Sequence, residues 1–172
     1  MRSWLVALLL PMLPACAGVP EVVGPLGPPL ESFNAVGRLA LHQGERSDHL
    51  AFEWRHDPQG DRVLFSTPLG QGVAELGRDP SGAWLEMPGQ AMRRAADLRE
   101  LARQLFGAPL PLDVLARWLA GERPEPSGRV EGWDLLVTED APYGQRRLPR
   151  RIELRKGETE LRIVIQSWGS DD

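Results

Sequence analysis

A lone thiol, three imidazoles and paired carboxylates are the groups in this chain that could do chemistry. Cys16 is the only cysteine, and no neighbouring base would generate a thiolate there, so a catalytic thiol is not expected. His42, His49 and His56 recur at intervals of seven residues. That spacing fits neither a helical zinc motif nor one face of a strand, because odd offsets alternate faces. Each histidine is expected at a strand end or on a solvent face, and no metal or cofactor is expected. The chain has no Gly-x-Ser-x-Gly elbow and no glycine-rich phosphate loop ahead of a helix. Carboxylate pairs such as Glu139-Asp140 fall in expected turns, and sequence does not show two carboxylates converging in space. Nothing in this inventory argues for an enzyme.

The residues before Cys16 give the thiol a different use. Met1-Arg2-Ser3 is a short basic opening, and Trp4 to Leu13 is an apolar run interrupted by Pro11. The run is shorter than the roughly 20 residues needed to span a bilayer, and it has the length of a signal-peptide core. Leu13-Pro14-Ala15-Cys16 resembles the lipobox of bacterial lipoproteins. That resemblance implies a signal peptide over residues 1–15, cleavage before Cys16 and acylation of its thiol. One acyl chain holds a protein to a membrane only marginally, whereas two or three hold it firmly. Ala17 follows where an aspartate would retain such a protein in the inner membrane. The implied location is the outer membrane of a Gram-negative bacterium, lipid-anchored and facing the periplasm.

Residues 16–32 read as the acylated end and a tether. Four prolines and three glycines between Ala17 and Glu31 forbid a regular element, and proline-rich chain extends by about 3 Å per residue. Residues 33–172 have the length of one domain with a sizeable core. The formal net charge of −4 and the lack of a basic stripe interleaved with aromatics give no reason to bind nucleic acid.

Within that domain the hydrophobic period is first two, then 3.6, then two again. Asn34 to His42, His49 to Arg55, Asp61 to Thr67, Gly72 to Arg78 and Ala83 to Met87 predict short strands. Turn signals at Asp57-Pro58-Gln59-Gly60, Pro68-Leu69-Gly70 and Asp79-Pro80-Ser81-Gly82 separate them. Such close spacing requires antiparallel pairing, since parallel strands need long crossovers. Asp97 predicts an N-cap for a helix carrying Leu98, Leu101, Ala102 and Leu105 on one face, stopped by Gly107. Pro109 and Pro111 open a second helix with Leu112, Leu115 and Leu119, ended by Gly121. After a Pro/Gly-rich loop, strands return around Trp133–Val137, Ile152–Leu154 and Leu161–Ile165. The expected class is α+β, with helices against a curved antiparallel sheet.

With this order in hand, the chain resembles the LolB family of outer-membrane lipoprotein receptors. The resemblance runs through Phe33-Asn34-Ala35-Val36-Gly37-Arg38-Leu39-Ala40, Phe52-Glu53-Trp54, Thr67-Pro68-Leu69-Gly70 and Gly107-Ala108-Pro109-Leu110-Pro111-Leu112. It continues in Trp118-Leu119-Ala120-Gly121, Gly132-Trp133, Leu148-Pro149 and Ile163-Val164-Ile165-Gln166-Ser167-Trp168. It implies an incomplete antiparallel β-barrel whose helices cover an apolar cavity. It also implies a monomer that takes acylated lipoproteins from a LolA-type periplasmic carrier and inserts them into outer-membrane lipid, without covalent chemistry. An envelope lipoprotein that binds another apolar ligand, or serves as an assembly scaffold, is the alternative; an undetected hydrolase is the third reading.

Acyl chains need a dry, concave, apolar surface. Leu39, Leu50, Phe52, Trp54, Phe65, Trp118, Trp133, Ile163 and Ile165 are the candidate liners, though such residues also simply fill cores. Six tryptophans beside one tyrosine and four phenylalanines suit either role. Leu69 sits in Pro68-Leu69-Gly70, a turn where a polar residue is expected. The resemblance places on it an exposed leucine that puts cargo into the membrane. Arg146, Arg147, Arg150, Arg151, Arg155 and Lys156 crowd one hairpin, with only Glu153 against them. They read as a solvated edge that discourages strand aggregation, or else as a dock for anionic lipid or an acidic carrier surface.

Overall fold

The computed structural model describes residues 27–123 and 126–169. Cys16, the expected signal peptide and most of the expected tether lie outside the described residues. Ten strands form one antiparallel sheet in the order β6-β5-β4-β3-β2-β1-β10-β9-β8-β7. Strands β1 (Phe33–Gln43), β2 (Arg46–Asp57), β3 (Gly60–Ser66), β4 (Gly72–Asp79), β5 (Gly82–Glu86) and β6 (Arg93–Ala95) run in chain order from the centre to one edge. Helices α1 (Leu98–Phe106) and α2 (Leu112–Leu119) follow. Strands β7 (Ser127–Val130), β8 (Trp133–Tyr143), β9 (Arg146–Lys156) and β10 (Thr159–Gly169) then return from the other edge, and β10 pairs with β1. The sheet is curved and unclosed, and the two helices form the connection between its two edge strands.

Local chemistry explains the breaks. Asp57 accepts the backbone N–H of Gln59 at 2.7 Å and of Gly60 at 3.0 Å, and Asp79 accepts that of Ser81 at 2.7 Å. These are the side-chain-to-backbone bonds that favour aspartate at turns. Asp97 caps α1 by accepting the Glu100 N–H at 2.9 Å, as its position predicts. Gly107 ends that helix at φ +77°, a conformation that excludes most residues with a Cβ.

Alternation along each strand puts one apolar face inward. Leu39 and Leu41 of β1, Phe52 and Trp54 of β2, Val63 and Phe65 of β3, Ile152 and Leu154 of β9, and Leu161 and Ile163 of β10 are all buried. The buried face of α1 lies against β4, β5 and β6, and α2 touches both α1 and β9. Leu98, Leu101, Ala102 and Phe106 of α1 and Leu112, Leu115 and Leu119 of α2 join the same core.

The structure adds elements that hydrophobic period does not reveal. β6 is only three residues long, and β7 lies within the segment read as a loop. β8 and β9 run on past their apolar stretches to Tyr143 and Arg146. Register shifts beside Glu139 and a proline at 149 opposite Asp140 disturb this end of the hairpin, which hides its alternation. Leu30 is fixed as well: its N–H donates to the Ala120 carbonyl at 2.8 Å. Arg146 donates to the Pro28 carbonyl at 2.5 Å, so the last residues of the expected tether are fastened to the domain.

Candidate functional site

Between sheet and helices lies a narrow apolar cavity of about 20 Å³, room for little more than one water molecule. Leu39, Phe52, Trp54, Val63, Phe65, Leu161 and Ile163 line it from β1, β2, β3 and β10; Phe106, Leu110, Leu112 and Leu115 line it from the helical side. Phe65 and Phe106 meet edge to face, with ring centroids 5.1 Å apart, a favourable aromatic geometry. On the sheet side the Phe52 ring closes down on Gly37. A Cβ at Gly37 would stand 2.7 Å from that ring and 2.4 Å from the Val164 carbonyl.

Five of the nine residues predicted from sequence as liners converge here: Leu39, Phe52, Trp54, Phe65 and Ile163. The other four are placed elsewhere. Leu50, half-buried, borders an open cleft next to the Leu69 loop. Ile165 is buried in the same core without touching the cavity. Trp133 is buried and donates its indole N–H to the Pro109 carbonyl at 3.3 Å, holding the link between the helices. Trp118 lines a separate cleft with Pro29, Val114 and Val130. Of the liners on the helical side, Leu112 and Leu115 were legible as one face of the second helix, whereas Phe106 and Leu110, the latter in the link between the helices, were not; nothing in the sequence aims any of the four at Phe52 and Phe65.

One inward position is a carboxylate. Asp61 precedes Val63 and Phe65 on the buried face of β3, and its side chain is 0 % exposed. Its Oδ1 accepts from the Trp54 indole N–H at 3.0 Å and from His56 Nδ1 at 2.8 Å, while Arg78 donates to Oδ2 at 2.5 Å. Burial pushes the Asp61 carboxyl up, but the bonds from His56, Trp54 and Arg78 together hold it below the ordinary carboxylate range. The His56 ring stacks on Phe33 at 5.1 Å. The cavity wall formed by Trp54 is therefore tied to a buried, charge-assisted network. An acid in phase with Val63 and Phe65 is the sequence signal for it.

The loop from Thr67 to Gln71 presents the opposite situation. The Gly70 N–H donates to the Thr67 carbonyl at 2.9 Å, and the Thr67 N–H to the Gln71 carbonyl at 2.8 Å. Pro68 presets the turn, and Gly70 leaves it at φ +85°, a backbone that favours glycine. Leu69 at the tip is 91 % exposed.

The remaining candidates are paired. His42 and His49 approach edge to face across β1 and β2, with centroids 5.9 Å apart. Among the described residues no three metal-ligating side chains gather. The basic hairpin departs from expectation, because Glu153 is not its only acid. Arg150 and Arg151 reach Glu139 at 2.9 and 3.8 Å, Arg147 reaches Asp140 at 3.6 Å, and Arg155 reaches Glu160 at 3.3 Å. Antiparallel pairing sets β9 between the acids of β8 and β10, an opposition that linear spacing does not show.

The model of the family "Outer membrane lipoprotein LolB" matches residues 31–168. Two relatives described as "Outer-membrane lipoprotein LolB" are each 34 % identical to the chain. The one from Thiobacillus denitrificans aligns over 98 % of both chains. The one from Chromobacterium violaceum covers 82 % of this chain and 85 % of its own. Among solved structures, a LolA superfamily protein from Nitrosomonas europaea has a TM-score of 0.53 at 11 % identity, covering 86 % of this chain and 89 % of that one. A DUF1329 family protein from Desulfovibrio piger reaches 0.57 at 8 % identity, covering 83 % and 86 %. Identities that low speak to the fold alone.

Proposed function

The chain belongs to the outer-membrane lipoprotein LolB family, and on that premise we propose that it accepts acylated lipoproteins from a LolA-type periplasmic carrier and inserts them into the outer membrane. The observation that carries this reading is the apolar seam in which sheet and helices both face one cavity. The described residues lining the seam are all aliphatic or aromatic, and the one polar group among them, the Trp54 indole N–H, is already taken by Asp61, so the cargo is held by contact alone. A cavity of about 20 Å³, with room for little more than one water molecule, is far too small for an acyl chain. Uptake therefore requires α1 and α2 to move away from β1–β3 and β10, exchanging Phe65–Phe106 contact for contact with the chain. Each buried apolar side chain re-covered by lipid offsets what its separation costs, so opening and filling are coupled.

Leu69 supplies the delivery step. Burying one leucine contributes about 1.5–3 kcal/mol, enough to dip the loop into lipid transiently and too little to anchor the protein. Anchoring falls to acyl chains on Cys16, with the proline-rich segment up to residue 27 giving reach and residues 28–30 already joined to the domain. In this reading residues 1–15 are the removed signal and residues 33–172 act as a monomeric unit.

The test mixes the full chain, reconstituted in vesicles, with a lipoprotein-loaded carrier. Cargo should pass to the chain and then to the vesicle. Phe65→Cys with Phe106→Cys, bridged across the seam by a reducible bis-methanethiosulfonate linker because facing rings leave their backbones too far apart for a direct disulfide, should stop uptake, and reduction should restore it. Transfer at the normal rate through the locked seam would overturn the cavity reading. Binding of free fatty acid without any transfer would support an apolar-ligand carrier instead.

A further inference from the structure

The outer face of the sheet beside the Leu69 loop holds a second feature that the transfer reading does not use. Arg38 lies opposite Ala51 on β2 and Val164 on β10, and Val164 lies opposite Arg151 on β9. In the next row Ala40 lies between His49 and Arg162. These positions alternate with the buried Leu39, Phe52 and Ile163, so they face away from the core. Ala40 and Ala51 are small, and a cleft of about 500 Å³ opens over them. Arg38, Arg151 and Arg162 rim it against a single acid, Glu153, and Pro68 of the Leu69 loop closes one side.

The charge there is poorly compensated. Arg38 is exposed and has no ion pair or side-chain hydrogen bond among the described residues. Arg151 is 3.8 Å from Glu139. Arg162 shares Glu160 with Arg155, at 2.7 and 3.3 Å. Glu153 is itself held by Arg155 at 3.3 Å. The strands carrying Arg38 and Arg151 are two apart, about 10 Å, a span that lets planar guanidinium groups approach one phosphate from two sides.

We propose that this cleft binds the phosphate of an anionic phospholipid headgroup when the Leu69 loop enters the membrane. The proposal rests on the reading of Leu69 as a membrane-inserting residue and adds what holds the loop at the surface. The cleft's nearness to Pro68 fixes the source as lipid: a headgroup seated there keeps Leu69 at bilayer depth. Arg38, without a competing acid, is the principal contact, and Arg162 and Arg151 complete the cation set. Attraction of this kind acts within a Debye length and weakens with salt.

The experiment places a polarity-sensitive fluorophore on Gln71→Cys of the full acylated chain, reconstituted in phosphatidylcholine vesicles with or without phosphatidylglycerol. Phosphatidylglycerol should increase loop immersion, and high salt should remove the increase. Arg38→Gln should lower the immersion constant on phosphatidylglycerol about fivefold, the factor associated with one basic residue at such a surface. It should leave phosphatidylcholine vesicles unaffected, and Arg38→Lys should recover most of the loss. Arg103→Gln, which removes the same charge on α1, should behave as wild type; an equal loss there would reduce the effect to net charge and overturn the site. Wild-type immersion by Arg38→Gln combined with Arg162→Gln would overturn it while leaving the Leu69 reading intact. Absence of immersion on either vesicle would overturn both. Broadening of the inorganic phosphate ³¹P signal that requires Arg38, without any preference for phosphatidylglycerol, would assign the cleft to a free anion and overturn the lipid source.

Discussion

Leu115 and Leu69 are the same side chain in opposite settings. Leu115 is 0 % exposed in the seam between α2 and the sheet, whereas Leu69 is 91 % exposed at the tip of the Thr67–Gln71 loop. The free energy of taking Leu115 out of water already contributes to folding. That of Leu69 is still available to another apolar phase, and a bilayer is one. The seam and the loop also differ in how they are held. Around the seam, rings interlock and the Trp54 indole is hydrogen-bonded to Asp61. Around Leu69 short backbone bonds, the Gln71 N–H donated to the Thr67 hydroxyl at 3.2 Å and the proline–glycine turn fix the chain. The contrast teaches that one kind of chemistry serves stability or encounter according to whether the backbone turns it in or out.

Perturbations can break or sharpen that contrast. The largest effect is expected for Asp61→Ala, which leaves His56 and Arg78 without their buried partner and should cost about 3–5 kcal/mol in denaturant unfolding. Because the Asp61 carboxyl is held low in the folded protein, its contribution is complete above the ordinary carboxylate range. It is lost as pH falls through the lowered folded value. The acid limb of the unfolding profile should therefore flatten in Asp61→Asn; an unchanged limb would show that Asp61 does not govern it. Leu115→Ala should cost about 2–5 kcal/mol, by lost burial plus the void it leaves, and should disturb uptake along with stability.

Leu69→Glu should separate the two regions. Unfolding should stay within about 0.5 kcal/mol of wild type and uptake from the carrier should persist. Delivery should fall roughly tenfold to a hundredfold, the equivalent of one leucine burial. Delivery at the normal rate would end the distinction drawn between loop and seam. The smallest effect is expected for Gly70→Ala, about 1–2 kcal/mol of left-handed backbone strain; no Cβ neighbour lies within 4 Å. It should slow delivery by loosening the presentation of Leu69, with little change in uptake. An exported form lacking Cys16 should still transfer cargo, with less control over its destination; complete loss of transfer by a folded form would give the anchor a larger part.

Much of the fold was legible because its elements obey simple periods. Alternation at Leu50, Phe52 and Trp54 marks a strand with one buried face, and Asp97 and Gly107 bracket α1 as capping chemistry requires. The edge strands β6 and β7 were not legible, being too short to show a period, and neither was the far end of the β8–β9 hairpin, where register shifts and prolines interrupt it. In the site, Leu39, Phe52, Trp54, Phe65 and Ile163 could be named as inward-facing. Trp118 and Trp133 carry the same apolar signal and are placed elsewhere, because size and hydrophobicity report burial without reporting against what.

The sequence by itself determined the antiparallel meander, the helical interruption, the family and the leucine at a turn, since these follow from local period, turn chemistry and residue order. Only the tertiary structure decided the rest. It closed the cavity to about 20 Å³, joined Trp54 to a buried Asp61, set Glu139, Asp140 and Glu160 against the basic hairpin, and left Arg38 facing an open cleft. The physical reason is common to all four. Strand pairing and the packing of helices on the sheet set side by side residues that are not neighbours in the chain, and the energy of an apolar or charged side chain depends on which neighbours that arrangement supplies.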